Sequence, residues 1–144
     1  MAPTELDEVI GQDHLALEAF MRGDPGPKKR LYSRGDDATL SNPFGPPALG
    51  WQAIERTLEA ASGALREGQS IRFERVSAFA TAELAYTVEI ERYSVVKLGG
   101  ADERVDHSLR VTTIFRLEPE GWRIVHRHAD PITTPRGPES LLEG

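Results

Sequence analysis

The chain contains no cysteine. Disulfides, thiolate metal ligands and a cysteine nucleophile are therefore excluded by composition alone. No stretch approaches 18 consecutive apolar residues, and the start, Met1-Ala2-Pro3-Thr4-Glu5, has neither the basic opening nor the apolar run of a secretory signal. These absences predict a soluble, cytoplasmic protein. Positive charge is also scarce: 17 Lys and Arg stand against 23 Asp and Glu, for a net charge of −6, and one short basic cluster, Lys28-Lys29-Arg30, is present. Nucleic acid and anionic membranes need a broad positive face, so neither is an expected partner. There is no Gly-x-Ser-x-Gly elbow to order a hydrolase triad, no dinucleotide fingerprint and no phosphate loop, and no cofactor is expected.

What remains is enough for one core. The 144 residues suffice for a single domain but not for two. Leu, Ile, Val and Phe supply about a quarter of them, above the range of disordered chains. Thr4 with Asp7 is close to a capping box, and Leu6, Ile10, Asp13, Leu17 and Phe20 recur at helical spacing, predicting a helix to about Arg22. Gly23-Asp24-Pro25-Gly26-Pro27 stops it, and Lys28 to Ser33 reads as another helical turn or two. Ala38 to Leu40 reads as a short strand. The loop Asn42 to Pro47 is irregular, because its three prolines lack the amide hydrogen that a ladder or helix needs. Trp51, Ile54, Leu58, Ala61 and Leu65 then place one apolar stripe on a second long helix.

From Ser70 onward the period changes to two. Leu84, Tyr86, Val88 and Ile90 form the apolar face of one strand, with Ala85, Thr87, Glu89 and Glu91 on its more polar face. Tyr93 and Val95 take the opposite parity, which predicts a bulge near Glu91 or Arg92. Gly99-Gly100 reverses the chain into a strand from Arg104 to Leu117, and Pro119-Glu120-Gly121 turns it into a final strand from Trp122 to Ala129. Helices followed by four long antiparallel strands predict an α+β fold, with helices covering one face of a curved sheet. Residues 1–130 form the domain, and 131–144 form a loosely held tail.

This order of elements resembles the nuclear transport factor 2-like superfamily. The local sequence is similar to its SnoaL-like branch, which includes polyketide cyclase-like and ketosteroid isomerase-like proteins. The residues that carry the resemblance are Arg34-Gly35-Asp36-Asp37-Ala38-Thr39-Leu40 running into Asn42-Pro43-Phe44-Gly45, and Gly50-Trp51 opening a helix. At the end of the chain, Leu109-Arg110-Val111-Thr112 and Gly121-Trp122-Arg123-Ile124-Val125-His126-Arg127-His128-Ala129-Asp130 are similar to SnoaL-like and kinase association domains. The resemblance implies a cone-shaped curved antiparallel sheet with the N-terminal helices packed on its concave face. It also implies a pocket for a small-molecule ligand and a homodimer through the sheet's other face. The implied activity is cofactor-independent isomerisation, cyclisation or dehydration of a small apolar carbonyl compound. The alternative is a non-catalytic ligand-binding or assembly domain, since the superfamily holds both.

His126, His128 and Asp130 alternate on the last strand and so share a face, with Cα atoms about 6.6 Å apart at each step. Two imidazoles and a carboxylate can ligate zinc or iron, exchange protons near neutrality, or simply hydrogen-bond at the strand end. No metal is assigned to them. Periodicity alone turns Leu109, Val111 and Phe115 inward and Arg110 outward, whereas the matching arginine of kinase association domains points into the pocket. We follow the resemblance, which makes Arg110 a five-donor fork for a ligand oxygen; its other reading is a cross-strand pair with a carboxylate such as Glu89. The catalytic candidates are His126 as base, with Arg110 and Tyr86 holding the developing oxyanion. The ligand-binding candidates are Trp51 and Phe44 as an aromatic lip, Tyr32 through its hydroxyl, and His128, Thr112 and Asp36. The carboxylate and tyrosine of ketosteroid isomerase chemistry have no position-by-position counterparts here.

Overall fold

The structure, a computed structural model, describes residues 4–65, 67–96 and 104–142. The expected reversal at Gly99-Gly100 lies outside the described residues. Helix α1 (Glu5–Met21) opens on a complete capping box: Thr4 Oγ1 accepts from the Asp7 N–H at 3.1 Å, and Asp7 Oδ2 accepts from the Thr4 N–H at 3.2 Å. Helix α2 (Gly26–Leu31) carries a proline in its first turn, where the missing amide hydrogen costs nothing. Two short strands, β1 (Thr39–Ser41) and β2 (Ala48–Leu49), pair around the Pro-rich loop, so the irregular segment ends in a strand the sequence did not announce. Helix α3 (Trp51–Gly63) follows Gly50, whose φ of +84° few other residues tolerate.

The four long strands are β3 (Gln69–Ala80), β4 (Leu84–Val96), β5 (Arg104–Glu118) and β6 (Gly121–Asp130). The sheet is curved and unclosed, in the order β2-β1-β6-β5-β4-β3. The long strands are antiparallel throughout, while β1 runs parallel to β6. Leu31, Leu40, Ile54, Leu58, Phe115 and Ile124 form the core between the helices and the concave face. Residues 132–142 are mostly exposed and include a 3-10 turn at Pro138–Leu142. Among the described residues no helix is long and apolar enough to cross a membrane.

Two register features decide which side chains enter the cone. Strand β4 runs unbroken, and the irregularity expected near Glu91 or Arg92 sits on its neighbour, where β3 carries an extra residue between Ser70 and Arg72. Ala85, Thr87, Glu89, Glu91 and Tyr93 consequently form one continuous inward face. The strand therefore shows its more apolar face outward and its acidic face to the helices. Local amphipathicity reports how two faces differ, but long-range partners decide which one is covered.

The second feature is on β6. Ile114 pairs with His126 and the next residue, Phe115, pairs with Ile124, so Val125 is an extra residue on β6. Before it, Trp122 and Ile124 point inward; after it, Arg127 and Ala129 do. A bulge of one residue exchanges the two faces of everything that follows.

Candidate functional site

A cavity of about 250 Å³ lies between the three helices and the inner faces of β5 and β6. That exceeds the roughly 150 Å³ apolar void known to accept benzene. Leu17, Met21, Leu40, Leu58 and Leu109 are among its apolar lining, and Phe44, 78% exposed, lines it too. Four polar side chains also line it: Asn42, His107, Lys28 and Arg127.

The last two belong to a buried charge network supplied by four elements. Lys28 of α2, 1% exposed, donates through Nζ to Asp13 of α1. Arg127 of β6, 6% exposed, donates through its two terminal nitrogens to the two oxygens of Glu91 on β4, at 2.8 Å each. The Tyr93 hydroxyl donates to Glu91 Oε1 at 2.5 Å, and His107 stacks on the Tyr93 ring with centres 5.4 Å apart. Two cations face two carboxylates, so the network is electrically balanced. These bonds use one of the three donors of Lys28 and two of the five of Arg127.

Burial opposes charge on every member, and the partners decide the outcome. Burial pushes the Lys28 amine down, and the nearby Arg127 cation works the same way against Asp13 and Glu91; the net shift is downward. Burial raises the Glu91 carboxyl, but Arg127, Lys28 and Tyr93 together hold it below the usual carboxylate range. Burial disfavours the Arg127 guanidinium, and Glu91 more than restores it. The Tyr93 phenol is pushed up by burial and then by Glu91. The His107 imidazole is pushed down by burial, against weaker support from Glu91 and Asp106. A second cluster, His14 Nε2 at 2.9 Å and Arg75 Nε at 3.0 Å from Glu89, holds the other inward carboxylate of β4.

Several candidate residues lie elsewhere, and each displacement has a physical cause. Arg110 points outward, its side chain 54% exposed, and pairs with Asp130 at 2.9 Å. Plain strand alternation decides this orientation, and the resemblance is corrected at that position. The extra residue at Val125 puts His126, His128 and Asp130 on the outer face as well. His126 Nδ1 meets the Thr39 hydroxyl at 2.7 Å, and His128 Nε2 meets Asp130 Oδ2 at 3.1 Å. Among the described residues no group of three or more His, Asp or Glu side chains is placed to hold a metal ion. Tyr86 is exposed on the outer face against Phe79, and Thr112 shares the outward parity of Arg110.

Trp51 opens α3 beside the core, with the Arg34 guanidinium 3.5 Å from its ring centre, and does not line the cavity. Tyr32 is buried and does not line the cavity, and its hydroxyl has no partner among the described residues. Asp36 is exposed and away from the cavity, next to Asp37, which holds Arg116 at 2.7 Å. Phe44 alone of the candidates lines the cavity.

The sequence does not point to Asp13, Lys28, Glu91, Tyr93 or Arg127, and its pattern places His107 as an exposed residue at the strand entry, whereas the structure half-buries it at the cavity. One signal was available: Asp13 occupies a position of the apolar stripe of α1, and a carboxylate there requires a buried partner.

The sequence model of the family described as SnoaL-like domain matches residues 15–133. No curated protein matches the chain. Among solved structures, the chain is similar to a candidate calcium/calmodulin-dependent protein kinase type II association domain from Thiobacillus denitrificans. Identity is 21%, coverage is 91% of this chain and 97% of that one, and the TM-score is 0.72. It is also similar to a candidate dehydratase of the NTF2-like family from Streptomyces avermitilis, at 19% identity, 90% and 98% coverage and a TM-score of 0.75. A ketosteroid isomerase-like protein from Erwinia carotovora atroseptica matches at 16% identity, 92% and 100% coverage and a TM-score of 0.72. At these identities the similarity is one of fold.

Proposed function

This chain belongs to the SnoaL-like domain family, and from that membership we propose that it binds a small, largely apolar carbonyl compound in the cone cavity and moves a proton on it without a cofactor. One observation carries the reading: the His107 imidazole, whose pKa burial lowers, and a buried guanidinium, Arg127, line the same largely apolar cavity. His107 takes the proton from the carbon beside the carbonyl, because an uncharged imidazole is a competent base near neutrality. Arg127 donates its remaining N–H groups to the oxygen as charge develops there. The apolar walls exclude water and strengthen both interactions. Isomerisation and dehydration both begin with such a step. That a similar fold occurs in a candidate dehydratase and in a ketosteroid isomerase-like protein is in keeping with it.

The test is exchange of the α-hydrogens of cyclohexanone in D2O, followed by proton NMR. The protein accelerates exchange, and His107→Gln loses the acceleration while the ketone still raises its melting temperature. Binding without exchange would replace this reading with a non-catalytic ligand carrier, and absence of both would remove the cavity from the function.

We also propose that two copies join through the uncovered sheet face, where Phe79, Leu84 and Tyr86 are exposed. Tyr86→Lys should then shift the sedimentation coefficient toward that of a monomer. An unchanged coefficient excludes this face.

A further inference from the structure

We propose that Lys28 is a nucleophile whose Nζ forms an imine with the aldehyde or ketone carbon of a compound seated in the cavity. The inference rests on reading the cavity as a carbonyl site, and it is independent of proton transfer at His107.

Three placements carry it. Lys28 lines the cavity from α2 with its side chain almost wholly withdrawn from water, and Leu17, Met21 and Leu40 line the same cavity. A second cation, Arg127, lines the same cavity. Apolar burial and a neighbouring positive charge are the two devices that free a lysine amine for attack on a carbonyl. Third, the Lys28 amine has a carboxylate, Asp13, directly against it to hold its proton.

The adjacent lysine shows the contrast. Lys29 turns to the surface, where Glu59 at 2.7 Å and Glu55 at 3.1 Å hold its ammonium form and raise its pKa. Neighbouring residues of one helix thus have opposite environments, and the downward shift of Lys28 agrees with its placement.

The step balances within the site. The Lys28 ammonium passes a proton to Asp13, and the freed lone pair attacks the carbonyl carbon. A C–N bond forms as the C=O π pair moves to oxygen, which receives a proton relayed from nitrogen through Asp13. The resulting hydroxyl is protonated by Asp13 and leaves as water, giving the protonated imine. Ammonium, carboxylate and carbonyl become iminium, carboxylate and water, with nothing oxidised or reduced. The iminium takes the place of the ammonium against Asp13, so the balance of two cations and two anions survives the reaction.

The chain has three lysines, at positions 28, 29 and 97, which makes the outcome readable by mass. The protein is incubated with cyclohexanone or cyclohexanecarboxaldehyde and sodium cyanoborohydride at neutral pH, and the modified lysine is located by peptide mapping. The expected result is one added alkyl group at Lys28, formed roughly tenfold faster than at Lys29, whose amine stays protonated. Lys28→Arg, checked for an intact fold by its melting temperature, loses that adduct, and Asp13→Asn slows it. Modification of Lys29, Lys97 or the N-terminus at rates matching or exceeding that of Lys28 overturns the proposal. A ketone that raises the melting temperature yet leaves Lys28 unmodified overturns it while sparing the carbonyl site. A ketone that does neither overturns both.

Discussion

Arg127 and Glu91 grip each other across strand β5, which lies between them in the sheet, through two parallel N–H···O bonds of 2.8 Å. The pair is bidentate and withdrawn from water, so each partner is needed mainly because the other is present.

Replacing Glu91 by Gln should therefore cost about 3–5 kcal/mol in urea unfolding, because it strands a buried guanidinium. The double replacement Glu91→Leu with Arg127→Met should recover most of that loss. A single variant within about 0.5 kcal/mol of the parent would show that the pair is not shielded from water.

Folding lowers the imidazole pKa values of His107 and His126, in both cases chiefly through burial. Below the ordinary histidine value of about 6.5 the unfolded chain therefore binds more protons than the folded one. Their contribution is complete above about pH 6.5 and is lost as the pH falls through the folded values. Unfolding free energies near pH 5.5 and pH 7.5 should thus differ less in His107→Gln than in the parent, with both pH values being about one unit from the ordinary histidine pKa. An identical difference in the two proteins would place His107 in water.

Arg110→Ala removes an exposed ion pair on the outer face and should cost at most about 1 kcal/mol. The rise in melting temperature produced by cyclohexanone should be unchanged in this variant. Arg127→Lys, by contrast, keeps the charge but loses the planar fork and should diminish that rise. The reverse pattern would mean that Arg110 reaches the ligand.

The hydroxyl of Tyr32 is buried without a partner among the described residues, and burial pushes its pKa well up. Tyr32→Phe should accordingly be neutral or slightly stabilising, by up to about 1 kcal/mol, in thermal or urea unfolding. A loss of more than about 2 kcal/mol would reveal a bound water or another partner for the hydroxyl.

Sequence periodicity carried the architecture because most elements obey local rules. Thr4 and Asp7 cap α1, the stripe from Ile54 to Leu58 seats α3, and the turn at Gly121 starts β6. The candidate site was far less legible, since its members meet only through long-range pairing. Glu91 becomes an interior residue because Arg127 arrives opposite it from another strand, and no window of β4 contains that information. The expectation of His126 in the pocket fails for a similar reason. Whether Val125 is accommodated as a bulge depends on its register with Ile114 and Phe115, some ten residues earlier in the chain. The orientation of Arg110, which local alternation does specify, was legible from the strand itself.

The extra residue at Val125 also bears on how this chain can be compared with others of its kind. A relative whose last strand lacks that residue would offer its cavity the position aligned with His126 or His128, while the position aligned with Arg127 would look away. Matching columns of letters would then equate an interior cation with a peripheral imidazole, even where the two backbones superimpose. In this strand what descends with the fold is a phase, and chemistry is transferable between relatives only after the phase has been matched.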